Sequence, residues 1–116
     1  MDHNNRYILS VPHNINSLND FPEGMLWEDI KFEDFEFSEP DYDNLFDLFD
    51  QFNRSFDIFI DEFEEEEILP DKIQAAIEMT EAYATKSSPE VKVSAEKLLT
   101  ALNRARELNK PLVLYF

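Results

Sequence analysis

An apolar run and a turn-rich segment lie near the start of the sequence. Residues 7–11 are apolar and rich in strand-forming side chains, so we expect a first strand that ends at Pro12. The Asn-rich segment that follows favours a short helical turn over residues 15–21. Residues 22–24 (Pro-Glu-Gly) predict a turn before the next apolar stretch.

A second strand is predicted over residues 27–37. Its large apolar side chains alternate with acids, as in a strand that buries one face. The alternation slips once between Phe32 and Phe35, and we interpret this slip as a β-bulge.

An amphipathic helix is predicted after Ser38. Ser38 can cap the helix, and Glu39, Pro40 and Asp41 suit its first turn. The apolar residues then recur every three or four positions, which predicts a buried stripe of Tyr42, Leu45, Phe46, Phe49 and Phe52. The opposite, solvated face is predicted to carry Asp43, Asp47, Asp50 and Arg54.

The segment 56–61 admits two interpretations. Its phenylalanines continue the helical spacing, but Ile58 and Ile60 make it rich in strand-forming residues, and we favour a strand. The four glutamates at 64–67 predict a solvated loop or helix edge.

Two helices and a strand are predicted for the C-terminal part. Pro70 opens a helix over 71–86, Ser88 and Pro89 start the next, and residues 109–111 end it. Residues 112–116 form an apolar run that suits a buried strand. Together these elements predict one mixed α/β (α+β) domain over 1–116, with a small sheet of three to four strands packed against three to four helices, and with a C-terminal helical pair and final strand.

Charge is distributed unevenly along the chain. The formal net charge is −16, and residues 1–69 hold twenty acids against three bases, a net charge of −17. Residues 70–116 hold six acids against seven bases. Ten of the eleven phenylalanines also lie between Phe21 and Phe63, interleaved with the acids. We therefore expect the functional surface in the first half.

Several classes of protein are excluded or disfavoured. The chain has no cysteine and one glycine, which removes thiolate zinc sites, disulfides, and the glycine-dependent phosphate loops and EF-hand turns. His3 and His13 have neither a zinc spacing nor a convincing nucleophile nearby. We expect no enzymatic activity, no metal and no cofactor. The lack of a signal core or of a long apolar run predicts a soluble cytoplasmic protein.

The acidic half indicates a basic protein partner. Solubility of a small domain needs a net charge of only about 2–8, so −17 within 69 residues exceeds that need. The same charge repels nucleic acid and anionic lipid, and we expect direct contact with neither. Three interpretations stay open: an inhibitor of a cationic nuclease, a DNA-mimicking regulator of the anti-restriction or anti-CRISPR kind, and a solvated surface without a specific partner.

A resemblance favours the inhibitor. The stretch Pro40-Asp41-Tyr42-Asp43-Asn44-Leu45-Phe46-Asp47-Leu48-Phe49-Asp50 resembles the inhibitory helix region of barstar-like ribonuclease inhibitors. The β-rich segment at 56–60 and the final helix with its apolar strand also resemble that family's order of elements. In that family the acidic helix and its preceding loop plug the active site of a basic ribonuclease. The resemblance therefore implies a bacterial toxin-immunity protein, with contacts from Tyr42, Asn44, Phe49 and Asp50.

Nine residues are the candidates for partner binding. They are Asp43, Asp47 and Asp50 on the predicted helix, Tyr42, Asn44 and Phe49 from the resemblance, and Glu33, Asp34 and Glu36 on the acidic strand. Phe49 has two interpretations, because the resemblance makes it a contact whereas the helical stripe makes it core. Lys92 and Lys97 lie in the near-neutral half and are expected outside the surface.

Overall fold

The computed structural model describes residues 7–20 and 22–116. They form four strands and four α-helices, in the order β1 (Ile8–Pro12), β2 (Phe32–Glu36), α1 (Glu39–Asn44), α2 (Phe46–Phe56), β3 (Glu65–Ile68), α3 (Pro70–Thr85), α4 (Pro89–Leu108) and β4 (Leu112–Tyr115). A 3-10 turn, Trp27–Asp29, precedes β2. The predicted α+β class, with its C-terminal helical pair and final strand, is confirmed.

The strands form one antiparallel sheet in the order β2-β1-β4-β3. The C-terminal strand β4 therefore lies in the centre of the sheet, as its apolar sequence suggests. Leu9 of β1 pairs with Leu114 of β4, and both side chains are completely buried in the core beneath the helices. The alternate positions, such as Ile8 and Ser10, occupy the opposite face, here called the outer face.

Helices α1 and α2 replace the single helix predicted after Ser38. Ser38 caps α1, since its hydroxyl accepts a hydrogen bond from the Asp41 amide at 3.3 Å. The chain leaves helical geometry at Leu45, with φ −108° and ψ 15°, and α2 begins directly after it. The buried residues of this helical pair include Tyr42, Leu45, Leu48, Phe49 and Phe52.

The C-terminal elements follow the sequence pattern closely. Pro70 and Pro89 begin α3 and α4, and Ser88 is the residue before α4. Asn109 ends α4 in the left-handed conformation, with φ 57°. The Lys110 amide then donates to the Ala105 carbonyl at 2.9 Å, which satisfies one of the last carbonyls of the helix.

Within residues 15–31 the turn predicted at 22–24 is confirmed, since the Met25 amide donates to the Pro22 carbonyl at 3.1 Å. The predictions of the helix and of the start of the second strand are wrong. Residues 15–20 contain one hydrogen-bonded turn, from Ser17 to Asp20, and no helix, and Phe21 lies outside the described residues. Asn14 explains part of the irregular backbone here. Its side-chain amide donates a hydrogen bond to the Asp29 carbonyl at 2.8 Å, and its side-chain oxygen accepts one from the Lys31 amide at 2.9 Å. The strand expected from residue 27 begins only at Phe32.

The predicted bulge in β2 is absent. Residues of β1 and β2 pair one for one from Ile8 with Glu36 to Pro12 with Phe32. The slip in the sequence has another cause: Phe32 lies on the outer face, where its ring is 5.8 Å from that of Trp27. Phe35, three residues later, packs against the core.

The assignments at 56–61 and 64–67 are both wrong. Asp57 adopts the left-handed conformation with φ 57°, which ends α2, and residues 58–61 form no strand. The Asn53 side chain accepts a hydrogen bond from the Ile60 amide at 2.6 Å and donates one to the Ile60 carbonyl at 3.1 Å. The polar backbone groups of Ile60 are therefore paired with a side chain instead of with a neighbouring strand. The strand is instead Glu65–Ile68, where Ile68 is buried opposite Leu112.

Candidate protein-binding surface

A groove lies between α2 and the loop that follows it. We call it the helix-face groove; it encloses about 160 Å³ and is lined by Tyr42, Phe46, Phe49, Asp50, Asn53, Phe59, Ile60 and Asp61. Because Asn53 bonds both polar backbone atoms of Ile60, it holds the loop against α2. This contact brings Phe59 to the same groove as Phe46.

The groove carries two large exposed apolar side chains. Phe46 is 53% exposed and Phe59 is 58% exposed. Exposed aromatic rings that are grouped beside charged residues are typical of protein-binding surfaces rather than of inert ones. Phe63, at the end of the same loop, is 82% exposed and has φ 66°.

Two neighbouring carboxylates of the loop, Asp61 and Glu62, accept hydrogen bonds from two buried tyrosines near this groove. The Tyr42 hydroxyl donates to Asp61 at 3.2 Å, and burial, followed by the negative charge of Asp61, raises the pKa of Tyr42 to about 12. The Tyr7 hydroxyl donates to Glu62 at 2.5 Å. Burial raises the pKa of Tyr7, as do Glu62 and, more weakly, two acids of α1, Glu39 and Asp43.

Two of the three predicted helix aspartates are exposed to solvent, as expected, and the third is partly exposed. Asp43 and Asp47 are exposed, while Asp50 is partly exposed on the rim of the groove. Asp50 pairs with Arg54 at 2.7 Å along the helix. Because the Arg54 side chain is 78% exposed and that of Asp50 is 47% exposed, the pair contributes little stability and leaves Asp50 open to a competing cation.

The three residues nominated by the resemblance alone have structural roles. Tyr42 and Phe49 are buried, at 3% and 1% exposure, and their rings stack with centroids 5.8 Å apart. For Phe49 the structure thus favours the core interpretation. The Asn44 amide donates to Ser94 at 3.1 Å and joins α1 to α4. The strand that the resemblance placed at 56–60 is absent.

The acids of β2 do not share one surface. Glu33 lies on the side of α4, where Arg104 and His13 each approach its Oε1 at 2.9 Å. The hydrogen bond from Arg104, followed by that from His13, lowers the pKa of Glu33. Asp34 and Glu36 point away from the core, on the outer face of the sheet.

The sequence missed three residues of this region. The helical spacing predicts Phe46 in the core, but the break at Leu45 rotates it out of the buried stripe. Phe59 and Asp61 belong to a segment that was assigned to a strand. Their only sequence signal is the Asn53 that holds the loop, and this signal is weak because asparagine side chains form many other contacts.

The remaining chemistry of the described residues is limited. Among residues 7–20 and 22–116, no group of three or more His, Asp or Glu side chains is placed to hold a metal ion. No helix within those ranges is both long enough and apolar enough to cross a membrane. No protein-family model, curated protein or solved structure matches this chain.

Proposed function

We propose that the protein is an immunity or inhibitor protein that neutralises a cationic bacterial toxin, a nuclease, by covering its active-site cleft. The observation that carries this proposal is a single groove in which Asp50 of α2 and Asp61 of the following loop lie beside two exposed phenylalanines, Phe46 and Phe59. We further propose that it acts in the cytoplasm, which suits a chain without cysteine.

The arrangement suits a partner whose cleft binds a polyanion. A nuclease must hold phosphates, so its active site presents Arg and Lys side chains. The carboxylates near the helix-face groove are mounted on helices and on a clamped loop, so little order is lost when they meet such a surface. Phe46 and Phe59 supply the apolar area that charge pairs alone do not provide.

Long-range charge also favours this function. The net charge of −17 in residues 1–69 produces a field that attracts a cationic protein before contact. Steering of this kind raises association rates, which matters when an immunity protein must bind a toxin before the toxin damages nucleic acid.

A DNA-mimicking regulator is the alternative. Such a protein presents a long row of carboxylates at the spacing of phosphates, without apolar anchors between them. The compact group of acids around Phe46 and Phe59 favours the active-site plug. The two functions differ in outcome, since only a plug blocks catalysis by the partner it binds.

A cleavage assay tests the proposal. The product of the gene immediately upstream is purified and incubated with RNA or DNA, with and without this protein. We expect stoichiometric inhibition of cleavage, which the double variant D43N/D47N weakens at least about tenfold. The variant E81Q/E96Q removes the same charge from α3 and α4 and should inhibit like wild type. Binding without inhibition, or equal losses in both variants, would contradict an active-site plug.

A further inference from the structure

A second groove lies on the outer face of the sheet. It encloses about 330 Å³ and is lined by Ile8, Ser10, Trp27, Phe32, Asp34 and Tyr115. None of these residues lines the helix-face groove. We call it the sheet-face groove.

The strand register places acids on both sides of an apolar floor. Ile8 lies between Glu36 of β2 and Tyr115 of β4, and Tyr115 pairs in turn with Glu65 of β3. Three strand spacings of about 4.8 Å separate the two glutamates by roughly 14 Å. The space between them is wide enough for a side chain or an extended segment to lie on Ile8 and Tyr115.

The carboxylates around this groove make it strongly negative. Burial, and then the charges of Glu65, Asp34 and Glu67, raise the pKa of Tyr115 to about 12. Burial, and then Glu67, also raise the pKa of Glu65. Within the described part of the chain, no basic side chain forms an ion pair with Asp34, Glu36 or Glu65.

Asp34 is held in place at one end of this groove. Ser10, only 2% exposed, donates its hydroxyl proton to Oδ1 of Asp34. Oδ2 has no hydrogen-bond partner among the described residues. Trp27 and Phe32, whose ring centroids are 5.8 Å apart, form an aromatic wall of the same groove.

We propose that the sheet-face groove binds an arginine or lysine side chain of a partner protein, with the cation on Asp34 and on the aromatic rings of Trp27 and Tyr115. A cation over an aromatic face is favourable, and the methylene stem of such a side chain covers apolar surface. An anion is repelled by the surrounding carboxylates. A neutral apolar segment would cover Asp34 without pairing it, which costs free energy.

A second copy of this chain fits the groove poorly. Each copy carries a net charge of −16, so two copies repel each other at any close approach. The occupant is therefore a cationic segment of a different protein. The proposal does not depend on the helix-face groove or on inhibition of a nuclease, and its test uses neither.

Trp27 is the only tryptophan of the chain, so its fluorescence reports directly on this groove. The probe is an acetylated, amidated heptapeptide of sequence Ala-Leu-Arg-Leu-Arg-Leu-Ala, titrated at low salt. A second peptide carries citrulline in place of both arginines, which keeps the shape and removes the charge. We expect a saturable change with a Kd below about 1 mM for the arginine peptide, and at least tenfold weaker binding of the citrulline peptide.

Variants locate the bound cation. D34N and, separately, E65Q should weaken binding of the arginine peptide several-fold, while E81Q, which removes one charge from an exposed position of α3, should change it less than twofold. Thermal unfolding of each variant verifies the fold. Equal binding of both peptides, an equal loss in E81Q and D34N, or no saturable change up to about 5 mM would overturn the proposal.

Discussion

Asp41 of α1 and Lys97 of α4 form an ion pair, with 2.8 Å between Oδ2 and Nζ, that joins the acidic half of the chain to its near-neutral half. Asp41 is only 5% exposed and also accepts hydrogen bonds from Ser94 at 2.6 Å and from Ser38 at 2.8 Å. The sequence places Lys97 outside the partner-binding surface and predicts no structural role for it. The structure gives it one, because it neutralises a buried carboxylate that anchors α1.

Removing this pair should reduce stability in a way that depends on pH. Burial by itself would raise the pKa of Asp41, but the bonds from Lys97, Ser94 and Ser38 outweigh it and lower the pKa below its ordinary 3.8. The ionised Asp41 therefore contributes stability above about pH 4, and this contribution is lost as the pH falls through the lowered value. At pH 7 we expect D41N and K97M each to lose about 1–3 kcal/mol in the free energy of unfolding.

Denaturant unfolding between pH 2 and pH 7 measures this effect. The difference between wild type and D41N should shrink as the pH falls below about 4, because wild-type Asp41 is then protonated as well. K92M alters an exposed lysine of the same helix and should retain wild-type stability. A difference that stays constant down to pH 2 would show that the charge of Asp41 is not what stabilises α1.

Phe46 and Phe49 are three residues apart on α2 and should respond in opposite ways to truncation. F49A empties a core position that contacts the rings of Phe37 and Phe52, and it should cost about 3–5 kcal/mol of stability. F46A removes an exposed ring and should cost less than about 0.5 kcal/mol. Measurement of melting temperature and partner affinity together separates the two, since F46A should lose affinity at constant stability. A fall in melting temperature for F46A as large as for F49A would contradict this assignment.

Deletion of residues 112–116 should prevent stable folding. β4 pairs with both β1 and β3, so its loss divides the sheet and removes the buried Leu112, Val113 and Leu114. Each large buried side chain contributes about 1.5–3 kcal/mol, and the sum approaches the whole stability of a typical domain. Circular dichroism and the melting temperature of the truncated chain check this. L114A should already cost about 2–5 kcal/mol, whereas L26A, at an exposed position, should be close to neutral.

Charge removal on the helix face should weaken binding of the toxin. D50A and D47A should each reduce affinity by about 2–5 kcal/mol, because each leaves a basic group of the partner unpaired in the complex. The fold should survive, since the Asp47 side chain is exposed and that of Asp50 is about half exposed and paired with the solvated Arg54. Calorimetric titration gives the affinities, and K92A serves as the control. Wild-type affinity in both aspartate variants would move the contact to another acidic surface.

Salt should act mainly on the rate of association. The charge that steers a cationic partner is screened over about 3 Å at 1 M ionic strength but over about 10 Å at 0.1 M. We therefore expect the association rate to fall at least about tenfold between 0.05 M and 0.5 M salt, with a smaller change in the dissociation rate. Stopped-flow mixing measures both rates. An association rate that is independent of salt would remove electrostatic steering from the mechanism.

The sequence by itself determined the elements whose local signals agree with one another. Proline at the first position of α3 and α4, the capping Ser38, and the apolar run of β4 each act through short-range sterics, hydrogen bonds or hydrophobicity that need no distant partner. The division into an acidic and a near-neutral half is likewise a property of the sequence alone.

Tertiary structure alone decided the elements whose local signals conflict. Glu65–Ile68 is a strand against the propensity of its three glutamates, because β4 offers it a partner and Ile68 is buried against Leu112. The register of β2 likewise places Glu33 on the helix side of the sheet, where it forms an ion pair with Arg104. It places Asp34 and Glu36 on the outer face. Strand alternation predicts that successive residues lie on opposite faces of the sheet. Only the packing of the helices determines which face is exposed to solvent, and hence which carboxylates a partner can reach.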